Sequence, residues 1–119
     1  MWDFCNDKIS NAYKRDFTKG SLWAYEKHRN QYRMLKFSGD IDAVVPTLGS
    51  MRWISELGWK VETKWRPYFY DGMVAGYIEE RDGLTFATVR GAGHAVPQFK
   101  PAESYKLVFN WIKDTLDQI

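Results

Sequence analysis

Apolar and polar positions along this chain divide it into short alternating or periodic runs. Four of these runs are predicted as strands, because they are apolar or alternate and are bounded by turn residues: 33–37, 60–70, 73–80 and 84–89. Asp71 and Gly72 separate the middle two, and an Asp-Gly pair between such runs predicts a β-hairpin. Pro67 lies within one run, so that strand is expected at a sheet edge or a bulge.

Helical spacing occupies the segments between and around the predicted strands. Residues 7–28 have a loose helical pattern that breaks at Gly20, and Pro46 opens a helix that ends at Gly58. From Pro101 onward, apolar residues recur at i, i+3, i+4, i+7, i+11 and i+14, which predicts one amphipathic helix: Tyr105, Val108, Phe109, Ile112, Leu116 and Ile119. Strand, polar loop and helix follow one another twice, so the pattern predicts an α/β fold.

Composition changes this picture in two ways. Aromatic residues make up 17% of the 119 residues, which is a heavy load of large side chains for so small a body, so some are expected to pack against structure outside this chain. The 17 basic and 15 acidic residues are interspersed, which argues against a nucleic-acid or anionic-membrane partner. No apolar run approaches the ~20 residues needed to span a bilayer.

Two loops carry candidate chemistry, and each follows an apolar run. The first reads SGDIDAVVP over residues 38–46, and the second reads RGAGHAVPQFKP over residues 90–101. In hydrolases with a catalytic triad of the order Ser, acid, His, the last two members lie on such loops at strand ends. Taken alone, the second loop favours a flexible turn with an exposed histidine, and the two loops together favour the triad. The two aspartates could also cap the next helix or bind a cation weakly.

The amino-acid sequences of these two loops and of several other segments resemble those of a known family. The chain resembles the C-terminal part of serine carboxypeptidases, most densely in S-G-D-x-D-A-V-V-P, W-R-P-Y, V-A-G-Y, T-F-A-T-V-R-G-A-G-H and V-P-Q-F-K-P-A-E-S. The resemblance implies the C-terminal part of an α/β-hydrolase fold, with parallel strands and a crossover helix. It makes Asp42 the triad acid, His94 the triad base and Asp40 a structural neighbour. It also places Ala95 in substrate binding, and the segment Trp65 to Tyr68 in packing beneath the site.

The nucleophile of that family sits in a G-E-S-Y-A-G elbow, and no G-x-S-x-G occurs among these residues. The resemblance therefore implies that residues 1–119 are one C-terminal segment, incomplete without an N-terminal portion or chain that carries the serine. Cys5, the single cysteine, would form a disulfide to that portion, although a free buried thiol is the other interpretation. No cofactor or metal is suggested, and the other histidine, His28, is expected at the surface.

The family relationship also implies an activity and a compartment. The complete protein is expected to hydrolyse C-terminal peptide bonds of peptide substrates in the secretory pathway, a vacuole or lysosome, or outside the cell. Because relatives of one fold perform different chemistry, an acyltransferase or a hydroxynitrile lyase stays open. A non-catalytic binding module derived from the same fold is the alternative from a different class.

Overall fold

The computed structural model describes residues 6–13 and 20–119. Its strands and longer helices follow the order predicted from the sequence, and two short elements, a helix over Val96–Phe99 and a C-terminal 3₁₀ turn, were not predicted. In chain order they are α1 Asp7–Ala12, α2 Leu22–His28, β1 Met34–Gly39, α3 Thr47–Glu56, β2 Val61–Tyr70, β3 Met73–Arg81, β4 Leu84–Val89, α4 Val96–Phe99, α5 Pro101–Lys113 and a 3₁₀ turn Leu116–Gln118.

The four strands form one mixed sheet in the order β1-β4-β3-β2. β1 and β4 are parallel, in a register that runs from Met34 opposite Leu84 to Gly39 opposite Val89. The β2–β3 and β3–β4 pairs are antiparallel, so most of the sheet is antiparallel. Because β1 and β4 run the same way and end in register, the loops that follow them begin side by side at one edge of the sheet. Pro67 lies on β2, the edge strand, as predicted.

β4 is the centre of the fold, and all six of its residues are buried. It lies between β1 and β3, and helix residues pack against its buried side chains in two clusters. Alternate β4 side chains enter two separate clusters. One contains Leu84, Phe86, Ile54 and Trp59, with Tyr25 and Trp53 of α2 and α3 packed against it. The other contains Ala87, Val89, Tyr68 and Leu107, with Trp111 of α5 packed against it.

The C-terminal helix differs from its prediction in both length and orientation. α5 ends at Lys113 because Asp114 adopts a left-handed conformation (φ 60°), and a 3₁₀ turn then follows. Three residues of the predicted apolar stripe face outward, since Tyr105, Phe109 and Ile112 are 62%, 41% and 56% exposed, whereas Leu116, beyond the end of α5, is buried. α5 instead buries the neighbouring stripe, which contains Ser104 and Leu107.

Arg66 explains why the chain turns back after α5. Its guanidinium donates to the main-chain carbonyl oxygens of Leu116 (2.6 Å) and Ile119 (3.2 Å). These bonds hold the end of the chain against β2, and Leu116 is buried in the same cluster as Tyr68. Within the segment Trp65 to Tyr68, Tyr68 is fully buried and Trp65 stacks on Phe86, so these two side chains have a packing role.

The N-terminal region contains two short helices, α1 and α2, on either side of the predicted break at Gly20. His28, expected at the surface, is half-buried, and its ring contacts that of Tyr32 at a centroid distance of 5.4 Å. Cys5, the predicted disulfide partner, lies outside the described residues.

Candidate active site

The loop after β1 holds Asp42 in a defined orientation. The chain turns sharply at the end of β1, where the Asp42 N–H donates to the Gly39 carbonyl oxygen at 3.3 Å. The Oδ1 atom of Asp42 then accepts hydrogen bonds from the main-chain N–H groups of Val44 (2.8 Å) and Val45 (3.0 Å). Short polar side chains commonly close such turns on their own backbone. The acid therefore shapes its own loop with one oxygen and leaves the other oxygen for a further partner.

The loop after β4 brings a histidine to the same edge of the sheet. Gly91 has a positive φ of 70°, which glycine adopts without steric cost and which turns the chain away from β4. Ala92 follows and is fully buried, so it anchors the loop against the core. His94 lies two residues before the start of α4 and is exposed. The short glycine-containing loop thus places an imidazole beside the acid loop.

Asp42 and His94, the two residues singled out in the sequence, are in direct contact. His94 Nδ1 lies 3.0 Å from Asp42 Oδ2. The Asp42 side chain is only 5% exposed, whereas the His94 side chain is 59% exposed. The hydrogen bond from His94 holds the pKa of Asp42 below its ordinary value, and the Val45 and Val44 N–H groups act in the same direction against the effect of burial. The structure therefore contains a shielded carboxylate bound to an accessible imidazole.

This arrangement can support proton transfer at the second ring nitrogen. A carboxylate that accepts the Nδ1 proton fixes the tautomer in which Nε2 carries the lone pair, and it stabilises the imidazolium once Nε2 gains a proton. Within residues 6–13 and 20–119, no serine hydroxyl is hydrogen-bonded to His94. Ser38 accepts from Lys36, and Ser104 donates to the Lys100 carbonyl oxygen, so both hydroxyls are engaged elsewhere.

Lys36 is a charged neighbour of the acid that the sequence analysis did not single out. Its ammonium donates to Ser38 Oγ (2.8 Å) and to the Phe37 carbonyl oxygen (3.2 Å). Burial lowers the pKa of Lys36, and the negative charge of Asp42 opposes that shift. The available signal was a lysine inside the otherwise apolar run of β1, where a cation requires partners.

The remaining predicted site residues occupy distinct positions. Ala95 lies directly after His94 and is exposed, and its carbonyl oxygen accepts from the Gln98 and Phe99 N–H groups at the start of α4. Asp40 Oδ1 accepts from the Gly91 N–H at 2.7 Å. The two aspartates of the loop are thus bound to different groups, and the described part of the chain contains no cluster of three or more His, Cys, Asp or Glu side chains that could hold a metal ion. Among the described helices, none is long and apolar enough to cross a membrane.

The lowered pKa of Asp42 predicts an acid-sensitive contribution to folding. Because the folded-state pKa lies below the unfolded-state pKa, the stabilisation is fully present above the unfolded value of about 4. This stabilisation is lost as the pH falls through the lowered pKa that Asp42 has in the folded protein. We expect the wild-type protein to lose more stability than Asp42→Asn between about pH 5 and pH 2. Urea unfolding midpoints across that range measure the difference, and equal losses in the two proteins would contradict the prediction.

Comparisons with known proteins agree on one relationship. A family model described as serine carboxypeptidase matches residues 1–114. The chain is 42% identical over 114 residues to serine carboxypeptidase 1 of Hordeum vulgare, an alignment that covers 93% of this chain and 22% of that protein. It is 43% identical over 105 residues to serine carboxypeptidase-like 32 of Arabidopsis thaliana, with 87% and 23% covered. Serine carboxypeptidase 24 of Arabidopsis thaliana is 44% identical over 101 residues, with 84% and 22% covered. The chain therefore spans less than a quarter of the length of these relatives.

Proposed function

Because the chain belongs to the serine carboxypeptidase family, we propose that it supplies the acid and the base of a Ser-Asp-His triad to a serine carboxypeptidase of the α/β-hydrolase fold. The observation that carries this proposal is the 3.0 Å contact between His94 Nδ1 and Asp42 Oδ2 at the ends of two parallel strands. In this proposal Asp42 is the acid and His94 is the general base. The nucleophilic serine comes from an N-terminal portion outside these 119 residues.

The proposed reaction proceeds through an acyl-enzyme. His94 Nε2 accepts the proton of the serine hydroxyl as its oxygen attacks the carbonyl carbon of the C-terminal peptide bond. Asp42 stabilises the imidazolium that forms. His94 then donates that proton to the departing amino group, so the C-terminal amino acid leaves and the acyl group remains on the serine. Water, activated by His94 in the same manner, releases the acyl group and restores the hydroxyl.

The surface around the acid loop supports a partner portion at this edge of the sheet. Four apolar side chains close to Asp42 in the chain are exposed, at 68%, 71%, 44% and 77%: Ile41, Val44, Val45 and Leu48. Clusters of exposed apolar side chains often mark sites of protein contact. We propose that the N-terminal portion covers these side chains and brings its serine to His94. The small share of the relatives that this chain spans, 22% for the Hordeum vulgare protein, supports such a portion.

The test compares this chain alone with this chain joined to an N-terminal portion. We expect no hydrolysis of an N-acyl dipeptide by the chain alone, because no serine hydroxyl of the described residues contacts His94. The complete protein should release the C-terminal amino acid and form a covalent adduct with a serine-directed fluorophosphonate. Release by the chain alone, or no release and no adduct from the complete protein, would contradict the proposal.

Three further measurements on the complete protein distinguish the alternatives. Adduct formation with transfer of the acyl group to an added alcohol, in preference to water, would identify an acyltransferase. Release of a carbonyl compound and cyanide from a cyanohydrin would identify a hydroxynitrile lyase. Formation of a stable complex with an unrelated protein, in the absence of any turnover, would favour a binding module.

The proposal also includes a covalent link and a compartment. We propose that Cys5 forms a disulfide to the N-terminal portion, which requires an oxidising compartment such as the secretory pathway, a vacuole or the cell exterior. Ala95, exposed beside His94, would contact the acyl side of the substrate. Intact mass measured before and after reduction tests the disulfide, since a partner bound through Cys5 is released only by the reductant.

A further inference from the structure

Asp40 makes a contact that the proposed triad chemistry does not use. Its Oδ1 atom accepts a hydrogen bond from the main-chain N–H of Gly91 at 2.7 Å. Asp40 belongs to the loop that carries Asp42, and Gly91 opens the loop that carries His94. Within the described part of the chain, this bond and the His94–Asp42 bond are the side-chain hydrogen bonds that join the two loops.

Two main-chain hydrogen bonds also join the loops, and their acceptors lie on either side of Gly91. The Asp40 N–H donates to the Val89 carbonyl oxygen and the Ile41 N–H to the Ala92 carbonyl oxygen, both at 3.2 Å. Gly39 permits this approach, because a Cβ at that position would lie 2.1 Å from the Ala92 carbonyl oxygen. The loops are therefore in direct main-chain contact. The Asp40 carboxylate binds the Gly91 N–H, which lies between the two main-chain acceptors Val89 and Ala92.

Gly91 sets the direction in which the histidine loop leaves β4. Its φ of 70° directs the chain from β4 toward His94, and glycine at this position is free to adopt other conformations. A carboxylate that accepts from this N–H favours the observed conformation, and such charge-assisted hydrogen bonds are stronger than neutral ones. Loss of the acceptor would allow the turn to reorient, and His94 would move with it.

We infer that Asp40 is a positioning residue that holds the His94 loop in register with the Asp42 loop through Gly91. This inference rests on the proposed function for its effect on rate, and on the 2.7 Å contact for its structural basis. Asp40 is exposed and bound to a main-chain amide, so it acts through the histidine loop and does not itself enter the reaction.

The test compares two substitutions in the complete protein. Asp40→Ala removes the acceptor, and we expect kcat to fall about 10- to 100-fold, because small displacements of catalytic groups have effects of that order. KM should change little, since Asp40 is not a substrate contact. Asp40→Asn removes the charge and replaces one oxygen with an NH2 group, but its remaining oxygen can accept from the Gly91 N–H, so it should recover most of the lost rate, to within about threefold of wild type.

The rate comparison has two outcomes that overturn the inference. Wild-type kcat in Asp40→Ala would show that the acceptor is dispensable. Equal losses in the alanine and asparagine variants would assign the effect to the charge of Asp40 and not to the bond with Gly91. If Asp40→Ala does not fold, Asp40→Ser replaces it, because its hydroxyl remains polar at the surface but falls short of the Gly91 amide.

A spectroscopic measurement separates this inference from the proposed function. The proton shared between His94 Nδ1 and Asp42 should give a downfield resonance in the proton NMR spectrum of the complete protein. We expect Asp40→Ala to broaden or shift this resonance through faster exchange, and Asp40→Asn to preserve it. If the wild-type protein shows the resonance but hydrolyses no peptide, the proposed function fails, whereas the response of the resonance still decides the role of Asp40. An unchanged resonance in Asp40→Ala would overturn the inference.

Discussion

Replacement of His94 with alanine in the complete protein should lower kcat for peptide hydrolysis by on the order of 10⁵- to 10⁶-fold. His94 Nδ1 is hydrogen-bonded to Asp42 Oδ2, and the His94 side chain is 59% exposed. In the proposed mechanism, loss of the imidazole leaves no group to take the proton from the attacking serine or to return it to the leaving amine. KM should change far less, because the imidazole acts on the reacting bond.

The assay compares kcat and KM for an N-acyl dipeptide in wild type and in His94→Ala. His28→Ala is the matched control, because it removes the other histidine of the chain, whose ring contacts Tyr32 away from Asp42. We expect the control to retain catalysis, with any cost confined to stability. Turnover by His94→Ala within tenfold of wild type would refute the assignment of His94 as the base.

Asp42→Asn should reduce kcat by about 10⁴-fold, which is smaller than the effect of losing His94 but still corresponds to about 5 kcal/mol of activation free energy. An asparagine oxygen can still accept from the Val44 and Val45 N–H groups, so the loop should keep its shape. The amide nitrogen would then face His94 Nδ1 as a donor. This donor favours the His94 tautomer with the proton on Nε2, and a protonated Nε2 cannot act as the base. The neutral amide also does not stabilise the imidazolium.

Asp114→Asn is the control for this substitution. Asp114 has a left-handed conformation that asparagine tolerates, and its side chain is 86% exposed beside Arg33. It lies near Met34 and Leu84, the first residues of β1 and β4, at the opposite end of these strands from Asp42. We expect Asp114→Asn to keep wild-type turnover. A loss of less than tenfold in Asp42→Asn would contradict the role of Asp42 as the triad acid.

Much of the fold was readable from local patterns. The predicted strand over residues 84–89 has the observed bounds of β4, and the Asp71-Gly72 hairpin joins β2 to β3 as expected. These predictions succeeded because strand alternation and turn chemistry depend on residues close together in the chain. Both members of the candidate acid–base pair were singled out by the resemblance of their loops to a family, whereas the residues alone left a flexible turn, a helix cap or a weak cation site open.

The orientation of α5 could not be read in the same way. Its sequence offers two overlapping stripes, and the predicted one, which contains Tyr105, Phe109 and Ile112, is largely exposed. The buried stripe, with Leu107 and Trp111, packs against side chains of β2, β3 and β4. Helical periodicity shows that a stripe exists, whereas the choice between neighbouring stripes depends on the shape of the sheet surface against which the helix packs.

The sequence by itself predicted the four strands, the longer helices and the hairpin, because each is encoded in neighbouring residues, and the resemblance of its two loops to a family indicated the candidate acid and base. Only the tertiary structure decided that β1 and β4 pair in parallel and in register, which places Asp42 Oδ2 3.0 Å from His94 Nδ1 although 52 positions separate them. It also decided that Asp40 binds Gly91 and that Lys36 is partly buried near Asp42. These contacts join distant parts of the chain, and their geometry depends on strand register and core packing that no local pattern specifies.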